Sequence, residues 1–324
     1  MAIYSYISPG GDGFQNLAMD GFFLENLKPE DIVLYLFVNR CAVIIGKGQN
    51  AWRECNLDAM EKDGVQLVRR HTGGGAVYHD DQNLNFSFIM GEKHYDLEKQ
   101  MRVIQRAASS FGIRAELSGR NDILAEGRKF SGNAFALSKG IRAHHGTLLI
   151  GTDLSRLARY LNVSQKKMRA KGIESVRSRV CNLSDLNRDV TVPAMEKALL
   201  REFEAEYGAF VEYPFRKEEQ KRIEEMREIQ ASWEWRFGKT PAFDYKIEQR
   251  YSFGEMQFLF QVKEGAVRDL FVYTDALDLS LAPLLKESLV GARFDPSFLA
   301  EKLRRDPVHP AFEEIARDLE QSTF

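Results

Sequence analysis

The stretch "RRHTGGGAVYHDDQNLNFSF" (Arg69–Phe88) places three consecutive glycines between an arginine pair and a run of strand-like residues. The segment "VQLV" just before it is short, apolar and β-branched, and "AVYH" and "LNFSFIM" follow the same pattern, so three strands are predicted around the loop. Because glycine lacks a Cβ, a glycine-rich loop between strands lets backbone N–H groups approach an anion. We predict that this loop binds an anionic ligand; a tight turn without a ligand is the alternative.

The glycine loop does not match the two common phosphate-binding motifs. A P-loop ends in Gly-Lys-Ser/Thr, which "GGGAVYHD" lacks. A dinucleotide fingerprint needs a third glycine before a helix, whereas Gly73 and Gly75 lead to Tyr78 in a predicted strand. Because a bulky side chain in the loop would fill ligand space, we expect a valine at Gly74 to abolish ligand turnover without disturbing the fold.

Composition indicates a globular protein of two domains. The chain has 324 residues, of which 44% are hydrophobic and 28% are charged. A net charge of −2 gives no general attraction to nucleic acid or to a membrane, and we expect neither as a partner.

Cysteine usage and the N-terminus favour a cytoplasmic location. Cys41, Cys55 and Cys181 are odd in number and widely spaced, which fits neither a disulfide framework nor a zinc site and favours a reducing compartment. No signal peptide is visible, and the longest apolar run, Ile32–Val38, is far too short for a membrane helix.

Apolar periodicity divides the chain at a connector, Ser232–Tyr245, that contains both Gly and Pro. After the connector, three strands joined by turns at Gly254 and Gly265 precede helical patterns. We therefore predict a catalytic domain over residues 1–240 and a small accessory domain over residues 246–324. In the first domain, helices are predicted at Phe14–Leu27, Leu97–Phe111, Pro193–Tyr207 and Arg216–Gln230, helix caps at Asn56, Asp96 and Asp153, and consecutive strands over Ile113–Ile150.

Polar side chains just before the glycines and in three other segments suit an anionic ligand. Arg70 can offer a forked cation to a phosphate or a carboxylate. The segment "GRNDIL" (residues 119–124) supplies an Asn-Asp pair, and Asp122 is the kind of hard oxygen ligand that Mg²⁺ takes together with phosphates. Lys129 follows a predicted two-residue turn at the start of a strand, where its position would be well fixed. The last predicted strand adds His145 and Thr147. An ordinary structural or surface role is the alternative for each of these residues.

Taken together, the segments are similar to the lipoate–protein ligases of the A type. The resemblance rests on the glycine stretch and on "GRNDI", "GRKFSGNAF", "HHGTLL", "AKGIESVRSRVCNL" and "ASWEWRFG", which follow one another in the family's order. The restart of strands near Lys246 matches the family's accessory domain, so the resemblance covers essentially the whole chain. It implies an α+β fold, with a biotin ligase-like mixed or antiparallel sheet flanked by helices and a small C-terminal α/β domain.

The resemblance implies a reaction in two steps. Lipoate and ATP, with Mg²⁺, would give lipoyl-adenylate and pyrophosphate, and the lipoyl group would then pass to a lysine of an acceptor domain. Lys129 is implied as the catalytic residue, in contact with ATP and the lipoyl carboxyl, and Asp122 as the Mg²⁺ contact. The residues implied to bind ATP and the adenylate are Arg70, Gly73, Gly74, Gly75, Ala76, Val77, Tyr78, Asn83, Asn121, Asp122, Lys129, Ser131, Gly132, His145 and Thr147.

The family also implies partners and a moving loop. The acceptors would be apo lipoyl domains of the E2 subunits of 2-oxoacid dehydrogenases and the glycine-cleavage H protein, and the enzyme is expected to be a monomer. The polar stretch Ser164–Asn182 carries six Lys and Arg residues against one Glu. In the family this region closes over the adenylate, which hydrolyses when wet, so we expect the same here. A solvated basic loop is the alternative.

Three rival functions stay open on the sequence alone. A cysteine-dependent octanoyl or lipoyl acyltransferase of the same superfamily needs an activated thiolate, and Cys181 is the cysteine near the predicted site. A biotin ligase would carry a different Arg/Gly-rich loop. A non-catalytic lipoate-binding protein would not release pyrophosphate from ATP.

Overall fold

Strands and helices alternate along the whole chain. The computed structural model describes residues 1–118, 122–162, 180–237, 244–305 and 307–321. Within these ranges the strands are β1 (Ile3–Ile7), β2 (Ile32–Val38), β3 (Ala42–Ile45), β4 (Gln66–Arg69), β5 (Val77–His79), β6 (Asn83–Gly91), β7 (Ala115–Ser118), β8 (Asp122–Ala125), β9 (Arg128–Ser138), β10 (Ile141–Leu149), β11 (Val211–Glu212), β12 (Tyr245–Tyr251), β13 (Gly254–Lys263) and β14 (Ala266–Thr274). The α-helices of the same ranges are α1 (Gly13–Asn26), α2 (Ala51–Glu54), α3 (Leu57–Lys62), α4 (Leu97–Ser109), α5 (Leu154–Tyr160), α6 (Val192–Tyr207), α7 (Lys217–Ala231), α8 (Trp233–Arg236), α9 (Leu281–Leu289), α10 (Pro296–Arg305) and α11 (Phe312–Gln321).

A large mixed sheet carries most of the first part of the chain. Its strand order is β11-β1-β2-β6-β10-β9-β8-β7. Strand β1 is parallel to β2 and to β11, and the other neighbouring strands are antiparallel. Two-residue turns join β8 to β9 and β9 to β10, and both residues of each turn have positive φ, at Glu126–Gly127 and Lys139–Gly140. This is the turn geometry that matches the twist of antiparallel strands, and it fixes the register of the hairpins.

Helices cover both faces of the large sheet. Alternate residues of β2 therefore enter different cores: Leu34 and Leu36 pack with α4 and α6, whereas Tyr35 and Phe37 pack with α1 and α7. Because neither face of β2 meets water, its sequence is an unbroken apolar run rather than an alternating one. Full burial of one such side chain contributes roughly 1.5–3 kcal/mol.

The predicted helix caps at Asn56, Asp96 and Asp153 are confirmed. Each side-chain oxygen accepts a hydrogen bond from a backbone N–H of the first helical turn, at 3.2, 3.1 and 3.0 Å respectively. Such a cap satisfies a backbone donor that the helix itself leaves without a partner. The four predicted helices of the first domain are also confirmed, with their ends displaced by one or two residues.

Contacts within the chain divide it into two compact units. The first unit comprises Met1–Ile44, Trp52–His71 and Ala76–Arg236. The second unit comprises Ile45–Ala51, Thr72–Gly75 and Phe237–Phe324. The three glycines of the loop thus pack with the C-terminal part of the chain, although they lie far from it in sequence.

The second unit is built on an antiparallel sheet of order β12-β13-β14. Alternate residues of β13, Met256, Phe258 and Phe260, enter one core with residues of α9, α10 and α11. The α+β class is thereby confirmed, both for the mixed sheet flanked by helices and for the small C-terminal α/β part.

The predicted connector Ser232–Tyr245 begins with a helical turn, α8, because Ser232 Oγ accepts a hydrogen bond from the Trp235 N–H at 3.2 Å. Most of the predicted closing loop, residues 164–179 of 164–182, lies outside the described residues. In the part of the chain that the structure describes, no helix is both long and apolar enough to cross a lipid bilayer.

Candidate active site

Lys129 and Asp122 form an ion pair across the β8–β9 hairpin. Nζ of Lys129 lies 2.7 Å from Oδ1 of Asp122, and the two side chains keep 35% and 37% of their exposure. The hairpin register places Asp122 opposite Gly132 and Leu124 opposite Lys129, with an irregularity just before Leu124. The predicted two-residue turn before Lys129 is confirmed at Glu126–Gly127. The turn therefore brings the implied catalytic lysine and the implied metal contact together.

Gly132 and Thr147 complete the surroundings of this pair. A Cβ built on Gly132 would lie 3.0 Å from Nζ and 3.2 Å from Cε of Lys129, so glycine leaves room for the lysine side chain. The Gly132 N–H points to Oγ1 of Thr147 at 3.4 Å. The neighbouring Ser131 is 1% exposed, and its hydroxyl finds no hydrogen-bond partner among the described residues.

His145, on β10, is buried against an acidic side chain that the sequence did not single out. Its Nδ1 lies 3.2 Å from Oδ2 of Asp20, and the Ser87 hydroxyl donates to Oδ1 of Asp20 at 2.5 Å. Burial alone would raise the pKa of Asp20, but the hydrogen bonds from His145 and Ser87 and the nearby imidazoles hold that pKa below its ordinary value. Asp20 stands alone in the apolar helix segment "LAMDGFFL", and a lone acid on a buried helix face is the signal that could have revealed it.

Backbone contacts within the second unit require glycine at two positions of the loop. A Cβ on Gly73 would lie 2.3 Å from the carbonyl oxygen of Ala276 and 2.9 Å from Cα of Leu277. Gly74 has φ of 95°, which strains any L side chain, and its N–H donates to the same Ala276 carbonyl at 3.3 Å. Valine at Gly74 would therefore strain the backbone, so we now expect it to lower stability as well as ligand turnover. At Gly75, by contrast, a Cβ would meet nothing within 4 Å.

Arg70 and Tyr78 flank the loop and are both buried. Arg70 is 7% exposed, and its Nη1 donates to the Ile44 carbonyl at 3.2 Å. Tyr78 is 2% exposed, its hydroxyl accepts from Arg156 at 3.3 Å, and burial raises the pKa of its phenol to about 12. A contact of Tyr78 with a ligand would accordingly be through the main chain. Ala76 and Val77, between Gly75 and Tyr78, are half-buried.

Asn83 begins β6 and is fully buried. Its Nδ2 lies 3.3 Å from Oδ1 of Asn85, and its own Oδ1 has no hydrogen-bond partner among the described residues. Within those residues, no hydrogen bond or ion pair joins Asn83 or Tyr78 to Lys129. The structure thus groups Asp122, Lys129, Gly132 and Thr147 by direct contact, and it places Asn83 and Tyr78 at separate strand positions.

The possible metal contact is a single carboxylate. Asn121, predicted beside Asp122, lies outside the described residues. Across the described ranges, His, Cys, Asp and Glu side chains form no group of three or more that could hold a metal ion. A cation at Asp122 would therefore take its other ligands from phosphates and water, which is the usual arrangement for Mg²⁺ in nucleotide sites.

Cys181 supports Lys129 through its backbone and not through its thiol. The Cys181 N–H donates to the Lys129 carbonyl at 2.9 Å. The thiol is 1% exposed, donates to the Arg128 carbonyl at 3.6 Å, and has a pKa raised by burial despite the nearby Arg128 guanidinium. An acyl-transferring cysteine needs a lowered pKa and access, so this environment disfavours the cysteine acyltransferase alternative.

Comparison with protein families identifies both parts of the chain. Residues 12–204 match the lipoyl protein ligase A/B catalytic domain. Residues 240–319 match the bacterial lipoate protein ligase C-terminus. The first match includes the glycine loop and the hairpin that bears Asp122 and Lys129.

Individual relatives and solved structures agree with these matches. The lipoate-protein ligase A of Psychrobacter cryohalolentis is 37% identical over 314 residues, or 94% of this chain and 92% of that protein. The lipoate-protein ligase A of Bdellovibrio bacteriovorus is 41% identical over 296 residues, or 89% of this chain and 87% of that protein.

Among solved structures, P. falciparum LipL1 in complex with lipoate has a TM-score of 0.87 at 29% identity, covering 99% of this chain and 100% of that chain. A lipoate-protein ligase A bound with ATP has a TM-score of 0.64 at 29% identity, covering 73% of this chain and 98% of that chain. With a family match over most of its length and relatives this similar, the chain belongs to the lipoate–protein ligase A family of ligases.

Proposed function

We propose that this chain activates lipoate with ATP to form lipoyl-adenylate and pyrophosphate, and then transfers the lipoyl group to a lysine of an acceptor domain. The observation that carries the proposal is the ion pair between Lys129 and Asp122, on a hairpin inside the region that matches the catalytic domain. The lipoate-bound and ATP-bound structures of similar proteins support these two substrates.

The first step must bring two anions together. A lipoate carboxylate oxygen forms a bond to the α-phosphorus of ATP, and the bond from that phosphorus to the bridging oxygen of pyrophosphate breaks. The Lys129 side chain is 35% exposed, so an incoming anion can approach it. We propose that Lys129 offsets the repulsion between carboxylate and phosphate and stabilises the charge that develops between them.

Asp122 has two parts in this proposal. Its carboxylate holds the Lys129 ammonium at 2.7 Å, which fixes a flexible side chain in advance of binding. It would also be the protein ligand of Mg²⁺, which arrives with ATP and neutralises part of the phosphate charge. A single, partly exposed carboxylate suits a cation that takes most of its ligands from phosphate and water.

The remaining contacts are proposed from position. The exposed Gly75, with Ala76 and the main chain of Tyr78, would lie against the nucleotide and the lipoyl group. Thr147 and Gly132 would border the reacting carboxyl, since Gly132 adjoins Lys129 and Thr147 adjoins Gly132. The rest of the proposed set is Arg70, Gly73, Gly74, Val77, Asn83, Asn121, Ser131 and His145.

In the second step, the lysine amine of the acceptor attacks the acyl carbonyl of the adenylate. A carbon–nitrogen bond forms, the carbon–oxygen bond to phosphate breaks, AMP leaves, and the amine loses a proton. We propose apo lipoyl domains of 2-oxoacid dehydrogenase E2 subunits and the glycine-cleavage H protein as acceptors.

We also propose that the enzyme is a monomer with a catalytic domain over residues 1–240 and an accessory domain over residues 246–324. We propose a cytoplasmic location because the three cysteines form no disulfide, which suits a reducing compartment.

Mass spectrometry of a purified apo lipoyl domain tests the proposal. The domain is incubated with this protein, ATP, Mg²⁺ and lipoate. We expect a mass gain of one lipoyl group that requires ATP, together with release of pyrophosphate. Pyrophosphate release without a mass gain would limit the activity to the first step, and the absence of both would refute the proposal.

A further inference from the structure

Arg69 and Trp235 hold each other through reciprocal hydrogen bonds within the first unit. The indole N–H of Trp235 donates to the Arg69 carbonyl at 2.9 Å. In return, the Arg69 guanidinium donates from Nε to the Trp235 carbonyl at 2.9 Å and from Nη2 to the Arg236 carbonyl at 2.6 Å. Arg69 is the last residue of β4, and Trp235 lies in the short helix α8. Four residues of chain separate Arg69 from Gly74, the middle glycine of the loop.

The two residues that follow Arg69 are held as well. Arg70 donates to the Ile44 carbonyl. The Nε2 atoms of His71 and Gln230 lie 3.0 Å apart, within hydrogen-bonding distance. The His71 ring also contacts the Trp235 ring, with centroids 5.1 Å apart. Consequently, each residue from Arg69 to His71 is fixed just before the glycine loop begins at Thr72.

The helix α8 has its own supports on the first unit. The Arg236 guanidinium lies over the Phe14 ring of α1, 5.7 Å from its centroid, and Arg236 Nε points to the Ser232 carbonyl at 3.3 Å. Arg69 is itself only 7% exposed, and its guanidinium donates to two backbone carbonyls. Charge-assisted hydrogen bonds in a buried setting of this kind are stronger than ordinary ones.

We propose that Arg69 and Trp235 are positioning residues for adenylate formation, acting through the main chain of residues 69–71 to fix the entry of the glycine loop. The inference rests on the proposed function for its kinetic part. Glycine has more backbone freedom than any other residue, so holding three consecutive glycines in one conformation costs much entropy. Fixing the entry of the loop before the ligand binds adds to the hydrogen bond that already holds Gly74, so less of that cost falls on binding and affinity rises.

Two variants weaken the contact and a third serves as a control. Trp235→Phe keeps an aromatic ring beside His71 but removes the N–H that donates to Arg69. Arg69→Lys keeps the positive charge but removes the planar fork that reaches two carbonyls. Trp233→Phe changes the other tryptophan of α8, which is 46% exposed. Its ring meets the Trp52 ring edge-on, with the ring centroids 6.3 Å apart.

Hydrogen exchange of the free protein, measured by mass spectrometry, is the first readout. In Trp235→Phe and Arg69→Lys we expect amide exchange of residues 70–76 to rise about tenfold, as for the loss of one or two hydrogen bonds that hold a segment. Exchange in β10 should stay at the wild-type rate, and Trp233→Phe should match the wild type throughout. Unchanged exchange in residues 70–76, or an equal rise in β10, would overturn the proposal, because the contact would then be a general support of the fold.

Kinetics supply the second readout. We expect KM for ATP in pyrophosphate release to rise about tenfold in the two variants, with kcat changed less, because positioning for binding is lost and Lys129 is intact. A tenfold fall of kcat with no change in KM would contradict a role in positioning the loop. If the wild-type protein releases no pyrophosphate, the proposed function fails, whereas the exchange measurement still decides whether Arg69 and Trp235 fix the loop entry.

Discussion

Lys129 Nζ contacts Asp122 Oδ1 at 2.7 Å across a single antiparallel hairpin. Both side chains keep about a third of their exposure, and an ion pair this exposed adds only ~0–1 kcal/mol to stability. Substitution of either residue should therefore change the chemistry much more than the fold. This property makes the pair the most direct test of the proposed site.

Replacement of Lys129 should abolish adenylate formation. We expect Lys129→Ala and Lys129→Arg to release pyrophosphate at least ~100-fold more slowly, the lower limit for losing one preorganised donor. Arginine keeps the charge but differs in shape and reach. Transfer from chemically supplied lipoyl-adenylate should suffer less, because the carboxyl is already activated. Near-normal pyrophosphate release in Lys129→Ala, with an unchanged circular dichroism spectrum, would assign the role to another cation.

Replacement of Asp122 should weaken both the placement of Lys129 and the affinity for Mg²⁺. For Asp122→Asn we expect pyrophosphate release to fall ~10–100-fold and the Mg²⁺ concentration for half-maximal rate to rise, since a carboxylate is a better ligand than an amide oxygen. Glu126→Gln is the matched control, because Glu126 is an exposed acid on the same hairpin whose ion pair is with Arg128. Equal effects of the two variants would indicate a general charge effect.

Two glycines of the loop should respond differently to alanine. In Gly73→Ala the new Cβ would meet the backbone of Ala276 and Leu277, which cannot move aside cheaply, so we expect a loss of ~1–3 kcal/mol in the free energy of unfolding. In Gly75→Ala the Cβ would meet no atom within 4 Å, so stability should hold while lipoate-dependent ATP turnover falls. Thermal melting and pyrophosphate release of both variants check this. Equal stability of the two would refute the assigned role of Gly73.

The buried Asp20 should make stability depend on acid pH. Its pKa in the folded protein lies below the ordinary value of ~3.9, so its contribution is present above about pH 4 and is lost as the pH falls through the folded pKa. At pH 7 we expect the free energy of unfolding of Asp20→Asn to be ~1–3 kcal/mol below that of the wild type. As the pH falls below about 4, we expect this free energy to decrease less in Asp20→Asn than in the wild type. Urea unfolding at several pH values measures both effects. An exposed-residue control, Asp189→Asn, should follow the wild type, and an Asp20→Asn curve parallel to the wild type would contradict the prediction.

Substitution of Cys181 should spare the reaction. Cys181→Ser keeps the backbone N–H that supports the Lys129 carbonyl and removes only a buried thiol of raised pKa. We expect pyrophosphate release and acceptor lipoylation within about threefold of wild type, because transition-state contacts are unchanged. Loss of transfer alone, with normal pyrophosphate release, would revive a cysteine-bound acyl intermediate.

Local patterns in the sequence were sufficient for much of the fold. The apolar run of β2, the caps at Asp96 and Asp153 and the turn before Lys129 depend on residues a few positions apart, and all of them are found in the structure. The pairing of Asp122 with Lys129 was within reach for the same reason, since a two-residue turn leaves little choice of register. Local turn geometry is therefore enough to bring Asp122 and Lys129 together.

Other parts of the site depended on contacts between distant residues. Asp20 meets His145 across 125 residues of chain, and Arg69 meets Trp235 across 166. The same holds for Gly73, whose missing Cβ makes room for the backbone of Ala276. By itself, the sequence determined the order of strands, turns and helices and the chemistry offered at the glycine loop and at Lys129. Only the tertiary structure decided which distant group each residue meets, because periodicity and turn chemistry act over a few residues, whereas burial and packing join segments that chain folding brings together.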